Sequence, residues 1–200
     1  MSLLFETIRI SDGEARHLQW HQMRMNRARY ELWKIREQLN LQELIKIPAE
    51  YRMGLVRCNI HYGKEIGSVT FNSYNKKPVR SLRMVKNDTI DYHVKFFDRS
   101  LLQALLALRG ECDDIIIIKN GLITDTSMSN LIFLKGHHWI TPADPLLAGT
   151  CRERLLSEGK IEEATIRTQD IRQYIGVKLI NAMRDPDEEE MIPVRNVKEL

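Results

Sequence analysis

Short runs of apolar and polar residues along the first part of the chain predict β-strands. Residues 3–10 predict a strand, and Asp12 and Gly13 after it form a dipeptide typical of hairpin turns. Three short alternating segments further on predict antiparallel strands, at residues 51–61, 68–74 and 79–85. These three later segments therefore indicate a β-meander.

A helical pattern precedes that meander. Residues 17–39 are mostly strong helix formers, and their apolar positions recur at helical spacings, at Leu18, Met25, Ala28, Leu32 and Ile35. The polar face carries Arg24, Arg27 and Arg29. From the helical pattern alone, these three arginines are expected to be ordinary surface charges.

The next strong signal is a hairpin in the second half of the chain. Residues 113–119 form a β-branched apolar run that predicts a buried strand, and Asn120 and Gly121 favour a type I′ turn after it. The predicted return strand carries Asp125 among hydroxyl residues and an Asn. A buried acid needs a partner, whereas an acid at a solvated strand end does not. Both interpretations of Asp125 are open on this stretch alone.

Two further helices are predicted in the second half. The apolar run at residues 101–108 predicts a helix that Asp98 or Ser100 can cap. Another helix is expected to begin at Thr150. Gly149, placed before a hydroxyl residue at a helix start, offers free backbone N–H groups at the positive end of the helix dipole. This pattern is typical of an anion-binding site.

Strand and helix signals alternate to the end of the chain. They predict a strand, a short helix and two more strands, at residues 164–167, 169–174, 177–183 and 191–194. The whole pattern predicts an α+β protein of two lobes. Residues 1–85 form the small α+β lobe, and residues 86–200 form the larger α+β lobe.

Composition excludes several classes of function. A hydrophobic content of 43% in 200 residues suffices for one sizeable core or two small ones. The net charge of +3, from 30 basic and 27 acidic residues, gives no reason to expect a nucleic-acid partner. No apolar run approaches the length of a membrane span, so no membrane partner is expected.

The cysteines and histidines indicate neither disulfides nor a metal site. Cys58, Cys112 and Cys151 are odd in number and have no metal-ligand spacing, and the N-terminus lacks a signal-peptide pattern. These observations favour free thiols in the reducing cytoplasm. His137 and His138 are neighbours on a predicted strand and point to opposite faces, so no metal is expected.

The order of these features resembles the class IV pyridoxal-phosphate enzymes of fold type IV. The shared features are the strand and turn, an acid followed by Ser-Asn, Thr-Pro, and Leu-x-Gly-Thr-x-Arg at residues 147–152. The family includes branched-chain and D-amino-acid aminotransferases and 4-amino-4-deoxychorismate lyase. The resemblance runs from Leu4 to Met183. It implies a two-lobed fold like that of D-amino-acid aminotransferase, shortened at its N-terminus because the family's opening strands are missing.

The resemblance also implies the cofactor, pyridoxal 5′-phosphate, and the residues that hold it. Lys95, which no pattern would otherwise select, takes the place of the Schiff-base lysine and general base. Arg24 takes the place of a phosphate-binding arginine, and Asp125 stands beside the pyridine nitrogen where the family usually has Glu. The other implied cofactor-binding residues are Ser129, Asn130, Gly149, Thr150 and Cys151. Cys151 replaces a hydroxyl residue, so its thiol either contacts the phosphate or is merely buried.

Three features resemble the lyase more than the aminotransferases. Thr7 matches a threonine proposed to help proton transfer, Arg99 follows Lys95 by four residues, and Asn181 begins an Asn-Ala turn. The implied substrate-binding residues are Arg9, Arg99, Asn181, Ala182 and Met183. The leading hypothesis is therefore a homodimeric lyase acting on a small amino-acid-like substrate. A small branched-chain or D-amino-acid aminotransferase and a non-catalytic cofactor-binding or dimeric binding protein of the same fold are the alternatives.

Overall fold

A computed structural model describes residues 3–199, which divide into two compact units. Unit 1 comprises the chain up to Lys76 together with Val94–Asp98. Unit 2 comprises Lys77–His93 together with the chain from Arg99 onwards. These units differ from the predicted lobes in two ways. The first unit ends before residue 85, and Lys95 belongs to unit 1.

Unit 1 is a sheet covered on one face by a helix. Its elements are β1 (Leu4–Ser11), β2 (Glu14–Ala15), α1 (Leu18–Trp33), α2 (Leu41–Leu44), β3 (Leu55–Tyr62) and β4 (Ile66–Ser73). The strands pair antiparallel in the order β2-β1-β3-β4. Buried and half-buried residues alternate along β1 and β3. One face of the sheet therefore enters the core, where Met25 and Ala28 of α1 pack against it.

Helix α1 ends earlier than predicted, at Trp33. Lys34 adopts the left-handed conformation with a φ of 57°. The guanidinium of Arg29 donates hydrogen bonds to the carbonyls of Glu37 and Lys64, and the side chain is only 3% exposed. The prediction that Arg29 is a surface charge was therefore wrong. Its partners lie outside the helix, and helical periodicity gives no information about contacts with residues outside the helix.

The segment 94–98 belongs to unit 1 because it pairs with the start of β1. The N–H of Phe5 donates to the carbonyl of Lys95 over 3.1 Å, and the N–H of Phe97 donates to the carbonyl of Leu3 over 2.8 Å. Val94 and Phe96 pack into the core of the same unit. These backbone bonds fix the position of Lys95 independently of its side chain.

Unit 2 contains two sheets. Its elements are β5 (Leu82–Lys86), α3 (Ser100–Ala107), β6 (Asp114–Lys119), β7 (Leu122–Ile123), β8 (Asn130–Lys135), β9 (His138–Pro142), α4 (Thr150–Ser157), β10 (Glu162–Ala164), β11 (Gly176–Ile180), β12 (Ile192–Pro193) and β13 (Val197–Lys198). The strand orders are β10-β9-β8-β11-β12 and β13-β5-β6-β7. The sequence placed β5 at the end of an antiparallel meander. It pairs instead in parallel with β6, which is why it belongs to unit 2.

The isoleucines of β6 belong to two different hydrophobic clusters, one on each face of the strand. Ile116 and Ile118 pack with Phe133 in one cluster, whereas Ile115 and Ile117 pack in another with residues of α3. Successive side chains on a strand point to opposite faces, so a strand that is covered on both sides is apolar throughout. The prediction of a buried strand here is confirmed. The type I′ turn after it is also present, because Asn120 and Gly121 both have positive φ.

The cysteines of the described residues are part of the interior. Cys58, Cys112 and Cys151 are buried free thiols. Between residues 3 and 199, no group of three or more His, Cys, Asp or Glu side chains is arranged to hold a metal ion. In the same part of the chain, no helix has both the length and the apolar character needed to cross a membrane.

Candidate active site

Asp125 is the central acid of unit 2. The predicted return strand is shorter than expected, so Asp125 follows β7 instead of lying on it, although the N–H of Ile117 still donates to its carbonyl over 2.8 Å. The side chain is 6% exposed. Oδ1 accepts a hydrogen bond from Nδ2 of Asn130 over 2.8 Å, and Oδ2 accepts one from the N–H of Leu147 over 2.9 Å. Asp125 is therefore a buried, oriented acid.

The raised pKa of Asp125 is compatible with a positively charged group binding beside its carboxyl. Burial raises the pKa of its carboxyl to about 7, although the bonds from Leu147 and Asn130 and the charge of Arg152 act in the opposite direction. A buried carboxylate is strongly stabilised when a positive group arrives beside it. A protonated ring nitrogen is such a group, so Asp125 fits the place implied for it beside the pyridine ring.

Asn130 connects Asp125 to the start of α4. Its Nδ2 also donates to the carbonyl of Leu147 over 2.8 Å. Gly149 immediately precedes α4, and a Cβ added there would lie 1.9 Å from Oδ1 of Asn130. The absence of a side chain at Gly149 therefore lets Asn130 hold Asp125 and the helix start in one arrangement.

The variant Gly149→Ala is expected to destabilise the protein by about 1–3 kcal/mol, because Asn130 must move and its two hydrogen bonds, to Asp125 and to Leu147, weaken. Urea unfolding monitored by circular dichroism measures the loss. The matched control is the double variant with Asn130→Ala, in which Gly149→Ala should cost much less than in the wild type. Equal costs in the two backgrounds would show that the clash with Asn130 is not the cause.

The start of α4 presents backbone donors. The N–H groups of Thr150, Cys151 and Arg152 belong to the first helical turn and have no intrahelical acceptor. The Cys151 thiol lies 3.8 Å from Nη2 of Arg154 and 4.0 Å from the carbonyl of Arg184. Burial raises its pKa to about 11. The thiol thus has protein partners, so an anion at the helix start would meet the backbone N–H of Cys151.

The Asn-Ala turn lies next to the loop that carries Ser129. Nδ2 of Asn181 donates to Oγ of Ser129 over 2.9 Å, and its Oδ1 accepts the N–H of Met183 over 2.8 Å. Met183 is buried, and Ala182 lies between these two residues in the turn. The structure therefore brings four of the expected site residues together.

Arg99 positions the same loop. Its Nη2 donates to the carbonyl of Ser127 over 2.7 Å. Within the loop, Oγ1 of Thr126 accepts the N–H of Ser129 over 3.0 Å. Arg99 thus supports the backbone beside Ser129, a contact that its predicted substrate-binding role did not include.

Arg24 in unit 1 is half of a buried ion pair. Its Nε and Nη2 donate to the two carboxylate oxygens of Glu6 over 2.9 and 2.6 Å, and Nδ1 of His21 lies 2.7 Å from Oε2 of Glu6. Glu6 is completely buried on the core face of β1. Two of the five N–H groups of Arg24 are therefore directed at Glu6.

The charges in this group are fixed by their neighbours. Burial alone would raise the pKa of Glu6, but the charge of Arg24 and the hydrogen bonds from His21 and Arg24 outweigh it and lower the pKa to about 2. Burial lowers the pKa of His21. Glu6 is therefore ionised at neutral pH and holds Arg24 in one orientation. The sequence prediction overlooked Glu6, whose one signal was an acid at a core-facing position of a strand.

Thr7 lies on the half-buried face of β1, and the amine of Lys95 lies beside Phe5 of the same face. Nζ of Lys95 is 4.6 Å from the centre of the Phe5 ring. Oγ1 of Thr7 donates to Oδ1 of Asn59 over 3.2 Å. Arg9 follows on the same face of the strand. This face of unit 1 therefore carries an amine, a hydroxyl and a guanidinium.

Comparisons with known proteins agree with the motifs. The sequence profile of the family described as amino-transferase class IV matches residues 3–197. A Haemophilus influenzae protein of uncharacterized function is 44% identical over 185 residues, which are 90% of this chain and 97% of the relative.

Solved structures give the same result. A Haemophilus somnus protein, suggested to be a 4-amino-4-deoxychorismate lyase, has a TM-score of 0.87 and 39% identity, covering 92% of this chain and 98% of its own. A Mesorhizobium loti protein, suggested to be an amino-acid aminotransferase, has a TM-score of 0.79 and 20% identity, covering 98% of this chain and 99% of its own. The second match shows the fold alone. Together they confirm the expected fold.

Proposed function

Because the chain belongs to the amino-transferase class IV family, whose members are pyridoxal-phosphate-dependent enzymes, we propose that it is a lyase that converts 4-amino-4-deoxychorismate to p-aminobenzoate and pyruvate. The observation that carries this choice is the 39% identity to the Haemophilus somnus protein. The lyase-like residues Thr7, Arg99 and Asn181 support it.

The residues present suit pyridoxal phosphate. Asp125 would stand beside the ring nitrogen, since its buried carboxylate needs a positive partner. The N–H groups at the start of α4 would hold the phosphate, and the positive charge of Arg24, which Glu6 orients, would favour it. Lys95 would provide the covalent attachment. When bound, the cofactor supplies an electron sink for the substrate carbon that loses its proton.

The amine of Lys95 would then act as the general base. It would take the proton from the ring carbon that bears the substrate amine. The electron pair left behind would break the bond between the neighbouring ring carbon and the enolpyruvyl oxygen, which makes the ring aromatic. The enolpyruvate released would gain a proton at its methylene carbon and become pyruvate. The Thr7 hydroxyl, whose proton goes to Asn59, offers its lone pairs as acceptors for a proton-bearing group of the substrate.

The experiment supplies 4-amino-4-deoxychorismate to the cofactor-loaded protein without any keto acid. We expect p-aminobenzoate and pyruvate in equal amounts, measured by chromatography, and no stimulation by 2-oxoglutarate. Protein from which the cofactor has been removed is the control and should be inactive. A strict requirement for a keto acid would identify an aminotransferase, and no turnover in either assay would favour the non-catalytic alternative.

We also propose a homodimer in the cytoplasm. The dimer rests on the family resemblance, and the compartment rests on the three free, buried thiols, which are typical of proteins in reducing surroundings.

A further inference from the structure

The turn that carries Asn181, Ala182 and Met183 is closed by its own backbone. The N–H of Asn181 donates to the carbonyl of Arg184 over 3.2 Å, and the N–H of Arg184 donates to the carbonyl of Asn181 over 3.0 Å. These two bonds make a tight hairpin turn, in which the residues move together. Asp185 directly follows the turn. A contact made by Asp185 therefore fixes where the whole turn lies.

Arg154 joins this turn to α4. Its Nη2 donates to Oδ2 of Asp185 over 2.6 Å, and its Nη1 donates over 3.1 Å to Oε2 of Glu158, the residue that follows α4. Arg154 is only 6% exposed, and a buried charge needs its partners. Its planar fork reaches one carboxylate on the turn and one on its own helix. These three residues are called the Arg154 bridge below.

The Cys151 thiol lies inside the contact between α4 and the turn. Its Sγ is 3.8 Å from Nη2 of Arg154 and 4.0 Å from the carbonyl of Arg184. Cys151 also belongs to the first turn of α4, whose backbone N–H groups are proposed to hold the phosphate. The Arg154 bridge therefore fixes the distance between the start of α4 and the turn.

We propose that Arg154 is a positioning residue. Acting through Asp185, it holds residues 181–183 against α4 and so sets the spacing between the phosphate-binding helix start and the substrate-binding turn. This inference rests on the proposed function, because the role of the turn in binding the substrate comes from the family resemblance. It adds Arg154 and Asp185 to the residues on which substrate affinity depends.

The bridge contains two carboxylates, and only one of them follows the turn, so Asp185→Asn and Glu158→Gln form a matched pair. Each variant removes one ionic partner of Arg154 and leaves an uncharged side chain of similar shape. The two side chains are 25% and 36% exposed, so both variants should fold. Burial is the main cause of the raised pKa of the Cys151 thiol, and the charges of Asp185 and Glu158 raise it further. An effect of charge alone on this thiol should therefore appear in both variants.

The first measurement is the rate at which a thiol reagent labels Cys151 in the cofactor-loaded protein, followed by mass spectrometry of its peptides. We expect Asp185→Asn to raise this rate by at least about tenfold, because the turn can then move away from the thiol. Glu158→Gln should change it by less than about twofold. Asp185→Glu keeps the charge and should recover most of the protection. Cys58 and Cys112 are buried free thiols that serve as internal references.

The second measurement is the steady-state kinetics with 4-amino-4-deoxychorismate. We expect Asp185→Asn to raise KM by about three- to tenfold while kcat stays within about twofold, because a displaced turn weakens binding and leaves the reacting groups in place. Glu158→Gln should leave both constants unchanged. The affinity for pyridoxal phosphate should stay the same in both variants. A merely structural role of the bridge would lower both melting temperatures without raising KM in one variant alone.

Three results would overturn the proposal. These are equal labelling rates of Cys151 in Asp185→Asn and Glu158→Gln, an unchanged KM in Asp185→Asn, or a loss of cofactor from that variant. A protein without lyase activity in which Asp185→Asn alone exposes Cys151 would refute the proposed function and leave the positioning of the turn intact. An active lyase in which the two variants behave alike would refute this inference and leave the proposed function intact.

Discussion

Replacing Lys95 with alanine is expected to eliminate both the covalent attachment of pyridoxal phosphate and measurable turnover. Loss of a positioned general base alone lowers a rate by about 10²–10⁴-fold, and the covalent role of the lysine is lost as well. Borohydride reduction followed by intact-mass measurement should show a cofactor adduct on the wild type and none on Lys95→Ala. Dialysis should then remove the cofactor and its visible absorbance from the variant.

The fold should survive this substitution. The position of the segment comes from backbone bonds of Lys95 and Phe97 to the start of β1, which alanine retains. The cation–π contact with Phe5 contributes only about 0.5–1 kcal/mol. The melting temperature without cofactor should therefore change little.

Two control variants separate the amine from the charge. Lys95→Arg keeps a positive charge but has no amine that can attach to the cofactor, so it should behave like Lys95→Ala in the mass measurement. Lys46, an exposed lysine of unit 1, should be replaceable by alanine without effect. A cofactor adduct that persists in both Lys95 variants would mean that another lysine has been overlooked.

Local patterns predicted the elements whose causes are local. The buried strand β6 and the Asn120-Gly121 turn are formed as expected, because residues that are close in the sequence determine both the burial of the strand and the positive φ of the turn. The burial of Arg29 was not predicted, because its guanidinium binds the carbonyl of Lys64, which lies 35 residues away. The pairing of β5 with β6 was missed for the same reason.

The candidate site divides in a similar way. Motifs selected Asp125, Asn130 and Gly149, and the structure brings these three together. The donor to the second oxygen of Asp125 is the backbone N–H of Leu147, and a backbone donor leaves no mark in the choice of side chain. Arg9 and Arg57 lie opposite each other because of the register between β1 and β3. A helix separates these two strands in the sequence, so a local pattern could not predict this pair.

Asp125→Asn is expected to change stability in a way that depends on pH. In the cofactor-free protein, burial raises the pKa of this carboxyl from 3.8 to about 7. Between those values the folded protein retains a proton that the unfolded chain has released. The free energy of unfolding of the wild type therefore falls by about 1.4 kcal/mol per pH unit as pH rises. Asparagine does not titrate and avoids this loss.

The variant should therefore gain about 4 kcal/mol relative to the wild type between pH 4 and pH 8, measured by urea unfolding without cofactor. Its amide group must face one of two donors, Leu147 or Asn130, which costs about 1–3 kcal/mol at every pH and shifts the difference without changing its slope. A difference that stays constant with pH would mean that Asp125 is ionised in the folded protein throughout this range.

Asp113→Asn is the control, because its pH dependence lies in a different range. The exposed carboxylate of Asp113 accepts the N–H groups of Arg80 and Ser81, which lower its pKa below the ordinary value of 3.8. Its stabilising effect is fully present above that value and is lost only as pH falls below it, so the stability difference between Asp113→Asn and the wild type should stay nearly constant between pH 4 and pH 8. A slope for Asp125→Asn beside a constant difference for Asp113→Asn would assign the slope to the surroundings of Asp125.

The Asp125→Asn substitution should make the enzyme nearly inactive, while its cofactor-free form becomes more stable. Removing one preorganised charge from a reaction centre lowers the rate by about 10²–10³-fold, and Asp125→Glu should recover part of this because it restores the anion. Pyridoxal phosphate should raise the melting temperature of the wild type more than that of Asp125→Asn at pH 8, since only the wild type has a buried charge to neutralise. Equal shifts would remove Asp125 from the cofactor site while leaving its pH-dependent stability intact. The two measurements therefore separate burial of the acid from its function.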